Sequence, residues 1–154
     1  MSNLDQNFWT GLSVRVTDPA TILQVGALCL RKGKRKRKVL LVKSSRGRWI
    51  IPKGWPMDGH TDAQTASIEA WEEAGVHKGR VSDAPIGGYM TEKRYDDGRR
   101  VACQVDVYRI DVKTMVNSYP EAAIRKRKWM SLDKAARKVN DPGLRALIMA
   151  LALS

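Results

Sequence analysis

Between Gly54 and Val76 the chain reads G-W-P-M-D-G-H-T-D-A-Q-T-A-S-I-E-A-W-E-E-A-G-V, a stretch that fixes one helix and restricts what can lie against it. Thr61 and Gln64 have the spacing of a capping box, and Gly75 suits the position just past a helix end. Over the helix so bounded, Ala63, Ala66, Ala70 and Ala74 form a stripe of small side chains that lets a sheet approach closely. Glu69, Glu72 and Glu73 project beside that stripe within one narrow arc, because positions i, i+3 and i+4 share a face at about 100° per residue. Three carboxylates held so close repel one another unless a divalent ion lies between them. Hard oxygen ligands suit Mg²⁺, with Mn²⁺ as a substitute. In the loop before the helix, the backbone carbonyl near Gly54 can face the cluster as a neutral oxygen ligand, and Lys53 can reach a phosphate as a point charge.

The rest of the chain supplies that sheet. Thr21 to Leu30 and Val39 to Lys43 are apolar and β-prone, and the segment between them, Lys32 to Lys38, is basic at every position but Gly33; together they read as a hairpin with a charged tip. Trp49-Ile50-Ile51 is a short strand that Pro52 ends. Further strands are expected over Ile86 to Tyr95 and Arg100 to Asp111, joined by the turn Asp96-Asp97-Gly98. In the second of them Val101, Cys103, Val105 and Val107 alternate with Ala102, Gln104, Asp106 and Tyr108, a period of two. Ser131 caps a helix through Lys134 to Val139, and Asp141 with Pro142 opens a last helix through Leu153. That helix is apolar around much of its circumference, which suits the core and leaves a monomer and a homodimer both open. Strands mixed with a few helices give an α+β class, an α-β-α sandwich with a mixed central sheet. Residues 1–20 show no periodicity and read as an N-terminal arm, leaving 21–154 as a single domain, as expected for a chain of 154 residues.

A formal charge of +12 and a pI near 10.1 predict attraction to polyanions, whether phosphorylated small molecules, RNA or an anionic surface. No apolar run approaches membrane-spanning length, and no export signal precedes the fold, so no membrane partner is expected. Cys29 and Cys103 lack metal-site spacing and sit in apolar strands, which predicts buried free thiols in a reducing cytoplasm. A glutamate-held Mg²⁺ beside a basic surface suits attack on phosphorus, because the ion neutralises phosphate oxygens and makes a nearby water more acidic.

The segment resembles a Nudix box, whose pattern is G-x5-E-x7-R-E-U-x-E-E-x-G-U with U aliphatic. Gly54, Glu69, Glu72, Glu73, Gly75 and Val76 match in register, Ala70 stands at the first aliphatic place, and His60 and Ile68 replace the first Glu and the Arg. Similarity extends over roughly residues 21 to 140 and is closest to the diphosphoinositol and diadenosine polyphosphate hydrolase branch, through Val39-Leu40-Leu41-Val42, Ser44-Ser45-Arg46, Arg48-Trp49-Ile50-Ile51-Pro52 and Arg125-Lys126-Arg127-Lys128-Trp129. Trp55 replaces a Gly usual in that branch, and Gln24 stands where a basic residue enters the first strand.

The resemblance implies a Nudix-type sandwich and Mg²⁺-dependent hydrolysis of a phosphoanhydride in a nucleoside diphosphate derivative, a dinucleoside polyphosphate or a diphosphoinositol polyphosphate. It implies Glu72 as proton acceptor and Glu69 and Glu73 as metal ligands. Ser44, Ser45, Arg46 and Arg100 fall where the branch grips phosphate. Two other readings remain open on the residues: pyrophosphate removal from an RNA 5′ end, with the basic runs as a track, and a binding module that holds RNA or a phosphorylated ligand without turnover.

Overall fold

The computed structural model describes residues 21–154, so the arm expected over residues 1–20 lies outside the described residues. Eight strands form one mixed sheet: β1 (Ile22–Lys32), β2 (Arg37–Lys43), β3 (Trp49–Ile50), β4 (Lys53–Gly54), β5 (Val76–Val81), β6 (Gly87–Arg94), β7 (Arg100–Met115) and β8 (Arg127–Ser131). Among the described residues three helices cover it: α1 (Asp62–Ala74), α2 (Leu132–Lys138) and α3 (Pro142–Ala152). At the centre β1 and β7 run parallel, in register from Ile22↔Cys103 to Leu30↔Asp111. All other named strand pairs are antiparallel.

The expected α-β-α arrangement follows from which residues are buried on each side of the sheet. On one side Ala66, Ala70 and Ala74 of α1 pack on Val25, Ala27, Cys29, Tyr108 and Ile110. On the other, Leu132, Ala135 and Ala136 of α2 and Leu144 and Ile148 of α3 pack on Leu28, Leu30, Cys103, Val105 and Val107. Helices on both faces explain why the period of two in β7 does not separate inside from outside. The polar row is buried as well, with Gln104 fully buried and donating to Asp106 Oδ1 at 3.0 Å.

Three strands depart from the sequence expectation. β5 is polar and mostly exposed, so no apolar period marks it. Lys53-Gly54 is not loop but a two-residue strand, β4, paired with β1 through Val25↔Gly54 and Gly26↔Lys53. The basic run Arg125 to Lys128 leads into β8, which pairs with β2 from Lys38↔Ser131 to Val42↔Arg127. Both cysteines are buried and free, and burial pushes the Cys29 thiol up to about 12. Among the described residues no helix is long and apolar enough to cross a membrane.

Candidate active site

The helix that carries the glutamates is fixed at both ends. At its start, Thr61 Oγ1 accepts from Gln64 N at 3.1 Å and Gln64 Oε1 accepts from Thr61 N at 2.9 Å, the reciprocal pair expected from the spacing. At its end Gly75 takes φ +72°, a left-handed conformation in which a side chain would be strained. Beyond the glycine, Arg127 closes the terminus: its Nη1 donates to the carbonyls of Ala74 at 2.7 Å and Val116 at 2.8 Å, and its Nη2 donates to Asn117 Oδ1 at 2.7 Å.

With the helix so held, Glu69 and Glu73 face inward, only 8% and 4% exposed, and share a hydrogen bond. Glu72 is half-buried on the rim. The pairing of β4 with β1 sets Lys53 and Gly54 over the two buried acids. Lys53 N donates to Glu73 Oε2 at 3.3 Å, and a Cβ on Gly54 would fall within 3.0 Å of all three carboxyl heavy atoms of Glu69. Only glycine lets the backbone approach there.

Burial is the main reason Glu73 is pushed up to about 9; its hydrogen bond to Glu69 adds to the rise, and Arg125 opposes it. Glu69 is raised too, first by burial, with Glu72 and Glu121 adding repulsion against the lowering effect of Glu73 and Arg125. The pair therefore retains a proton at neutral pH when no cation is present. Arg125 is the nearest counter-charge, its Nε 3.9 Å from Glu73 Oε1 and also paired with Glu121.

This donor set fits a hard divalent ion: two adjacent buried carboxylates, under-compensated and protonated for want of positive charge. Among the described residues no three His, Cys, Asp or Glu side chains converge as a finished cage. Glu72 lies on the rim, near enough to repel Glu69, so the three carboxylates expected in one arc divide into two inward and one on the rim. Mg²⁺ is ordinarily held by one or two carboxylates with waters and substrate phosphates completing the shell, so the pair suffices.

A pH dependence follows. The folded state keeps a proton that the unfolded chain releases near 4.5, so metal-free stability is highest below that value and declines as pH rises towards about 9. The melting temperature of chelated protein should drop by several degrees from pH 5 to pH 9, and Mg²⁺ should restore it most at the alkaline end. Calorimetric titration in two buffers should show about one proton released per Mg²⁺ bound at pH 7. A melting temperature that climbs with pH under chelation would contradict this.

Beside the pair lies a cleft of about 220 Å³ whose lining includes Ser44, Ser45, Arg46, Arg48, Lys53, Lys93, Arg94 and Arg125. Lys53 and Arg125 belong to both the cleft and the carboxylate pair, and so connect the two. The sequence-derived contacts Ser44, Ser45, Arg46 and Lys53 all come together here. Arg100 does not: it sits at the start of β7 opposite Arg94, outside the lining. In its place Arg48, Lys93, Arg94 and Arg125 add positive charge that the sequence reading did not assign to the cleft.

Asp141 also reaches the cleft. Its carboxylate makes no cap to α3 and instead accepts from Thr91 Oγ1 at 2.6 Å. Lys53 Nζ donates to Gln24 Oε1 at 3.3 Å, so the residue found in place of a basic one at the first strand steadies the lysine. Arg46 is tethered by Asp96 at 3.6 Å. On the rim, Trp55 is 51% exposed and Lys93 Nζ lies 5.6 Å from its ring and 5.8 Å from that of Tyr95. His60 is an exposed loop residue beside the Asp58 carbonyl.

A buried acid pair in the C-terminal half of a helix that ends at Gly75 thus opens on a cationic cleft within an α-β-α sandwich. The chain belongs to the Nudix family: the NUDIX domain pattern matches residues 21–151. It is 31% identical over 112 residues to mitochondrial Nudix hydrolase 16 of Arabidopsis thaliana, covering 70% of this chain and 61% of that protein. It is 28% identical over 115 residues to the asymmetrical bis(5′-nucleosyl)-tetraphosphatase of Sus scrofa, covering 71% of this chain and 74% of that one. The Ap4A hydrolase of C. elegans in a binary complex has the same fold, with a TM-score of 0.63, 20% identity, and 86% and 96% of the two chains covered. The chain spans between 51% and 61% of the length of the Arabidopsis relatives it matches.

Proposed function

We propose that the chain is a Mg²⁺-dependent pyrophosphohydrolase that cleaves a phosphoanhydride of a nucleoside diphosphate derivative, with dinucleoside polyphosphates as the leading substrates. The observation that carries this reading is the sharing of Lys53 and Arg125 between the buried Glu69–Glu73 pair and the cationic cleft. A phosphate chain held in that cleft lies directly against the carboxylates. When bound by Glu69 and Glu73, Mg²⁺, or Mn²⁺ in its place, supplies charge neutralisation at the phosphate and a more acidic water. Lys53, Arg46, Arg48 and Arg94 hold the phosphate oxygens, and Ser44 and Ser45 add hydroxyl donors. Glu72, on the rim, takes the proton of the attacking water.

Trp55 favours a nucleotide over an inositol. An exposed indole beside the cleft, bridged to Tyr95 by one ammonium, offers a flat apolar face to a base and nothing comparable to a polyphosphorylated ring. The name of the pig relative points to the same substrate class. Loss of one stacking face is worth about 1–3 kcal/mol, so Trp55→Ala should raise KM for a dinucleoside polyphosphate about 10-fold with kcat little changed. Diphosphoinositol hydrolysis, if measurable, should not respond to that change.

The deciding measurement is phosphate release over dinucleoside polyphosphates, nucleotide sugars, diphosphoinositols and 5′-triphosphate RNA, with and without Mg²⁺. Mg²⁺-dependent turnover led by the dinucleoside compounds is expected. Turnover of none of them would replace this reading with a ligand-binding module.

A further inference from the structure

At the end of the sheet opposite the cleft, the face that carries α2 and α3 continues past its apolar rows. Those rows stop at Leu30 in β1 and Val107 in β7. Residues opposite one another in neighbouring strands point to the same side of a sheet, and so do residues two apart in one strand. The registers Leu28↔Arg109, Leu30↔Asp111, Arg80↔Asp111 and Lys32↔Arg37 therefore set Arg109, Asp111, Arg80, Lys32 and Arg37 on the face of Leu28 and Leu30, and Lys113 follows Asp111 by two. Together with Leu30 they line a groove of about 550 Å³.

Five cations thus project from four adjacent strands, β2, β1, β7 and β5, with one acid among them. Asp111 is engaged by Arg109 at 3.0 Å. Arg37 donates to the Leu151 carbonyl and to Ser154 Oγ. Among the described residues Lys32, Arg80 and Lys113 have no ion-pair partner, and Lys34 and Arg35 stand next to them at the exposed hairpin tip. Arg31 also borders the groove, but its side chain turns to the other face, with its guanidinium 4.3 Å from the Trp129 ring centre.

The groove is remote from the chemistry. β1 meets Gly54 at Val25 and Arg37 at Lys32, a run of strand roughly 23 Å long at about 3.3 Å per residue. A small phosphorylated molecule in the catalytic cleft cannot touch it. We propose that this groove is a second, non-catalytic site that holds the phosphodiester backbone of single-stranded nucleic acid.

The chemistry favours that occupant. Like charges spread over four strands, about 4.8 Å apart from strand to strand, suit a linear polyanion better than one isolated phosphate. Arginines present planar donor pairs to phosphate oxygens. An open sheet face admits a single strand laid across it. The lining contributes no exposed large apolar side chain of the sort that enters a lipid interface. It contributes no aromatic face for stacking either, so recognition is of backbone charge and not of sequence.

The test uses the whole protein and a fluorescein-labelled decauridylate with a 5′-hydroxyl, which offers no anhydride to cleave. The triple variant Lys32→Ala/Arg80→Ala/Lys113→Ala should bind at least about 10-fold more weakly. Its slope of log affinity against log salt should be shallower by about 2, at roughly 0.7 per lost phosphate contact. Its kcat/KM on a dinucleoside polyphosphate should stay within about twofold of the parent, because the groove is beyond a Debye length from the cleft. Lys53→Ala, in the cleft, should bind the oligonucleotide as the parent does. Equal binding by the triple variant and the parent would overturn the proposal, as would loss of binding in Lys53→Ala, or binding of phosphatidylserine vesicles with none of the oligonucleotide. Should the triple variant fail to fold, photocrosslinking of a 4-thiouridine oligonucleotide to the parent decides the matter. Adducts on β1, β5 and the second half of β7 support the groove, and adducts confined to residues 44–53 and 91–94 overturn it.

Discussion

Glu73→Gln is expected to lower turnover about 10³-fold and, at the same time, to raise the melting temperature of the metal-free protein at pH 8. The two effects have one cause. Glu73 is buried and pushed up to about 9, so at pH 8 its environment already resists the charge, and an amide of the same shape removes that strain. The same charge is what a divalent ion needs, and without it the site holds Mg²⁺ poorly. Glu72→Gln separates the roles. If it accepts the proton as proposed, the change should cut turnover by about 10²–10⁴-fold, yet Mg²⁺ affinity should change little, because Glu72 lies on the rim outside the buried pair. Calorimetric Mg²⁺ titration of both variants beside steady-state rates reads both predictions. Equal loss of metal binding in the two would reject the division of labour.

Arg127→Ala should destabilise the fold by about 3 kcal/mol while leaving KM nearly unchanged. The guanidinium satisfies two backbone carbonyls, one at the end of α1 and one just past β7, as well as the Asn117 side chain, and it lies 4.8 Å from the Tyr119 ring centre. Hydrogen bonds from a charged donor are worth about 1.5–3 kcal/mol each, and truncation leaves part-buried carbonyls unpartnered. For a domain of this size the loss corresponds to about 10 °C in melting temperature. Arg127→Lys should recover little of it, since an ammonium cannot span two carbonyls and an amide in one plane. Urea unfolding is the measurement, and a loss below about 1 kcal/mol would show that the helix end does not depend on this residue.

That arginine also shows where the sequence was hard to read. In Arg125-Lys126-Arg127-Lys128, which runs from just before β8 into its first two residues, the composition suggests solvated charge, but the two arginines turn inward. Arg125 turns toward Glu73 and Arg127 toward the end of α1, while Lys126 and Lys128 are exposed. No property of the four residues taken alone distinguishes the inward pair. Signals that act within one turn of chain were legible: the Thr61–Gln64 cap, the left-handed Gly75, the Asp96-Asp97-Gly98 turn and the Ser131 cap all form as their spacing predicts. The glutamates of the site belong to the same local register.

Features that depend on partners distant in sequence were not legible. The parallel pairing of β1 with β7, the strand character of Lys53-Gly54 and the arrival of Thr91 and Asp141 in the cleft all depend on which strands become neighbours. Arg100 was expected among the phosphate contacts through the family resemblance; it pairs with Arg94 at the turn end of the β6–β7 hairpin, and of the two only Arg94 lines the cleft.

The parallel register between β1 and β7 also constrains the order of events during synthesis. The two strands are separated by roughly 80 residues, and non-local pairings of this kind form late and slowly. β1 emerges early, yet one of its edges stays open until residues 103–111 have left the ribosome. Until then the backbone that seats Gly54 over Glu69 has only half of its support. A nascent chain halted before β7 therefore carries every glutamate of the box without a place to hold an ion, and it exposes a long apolar edge that invites chaperone capture.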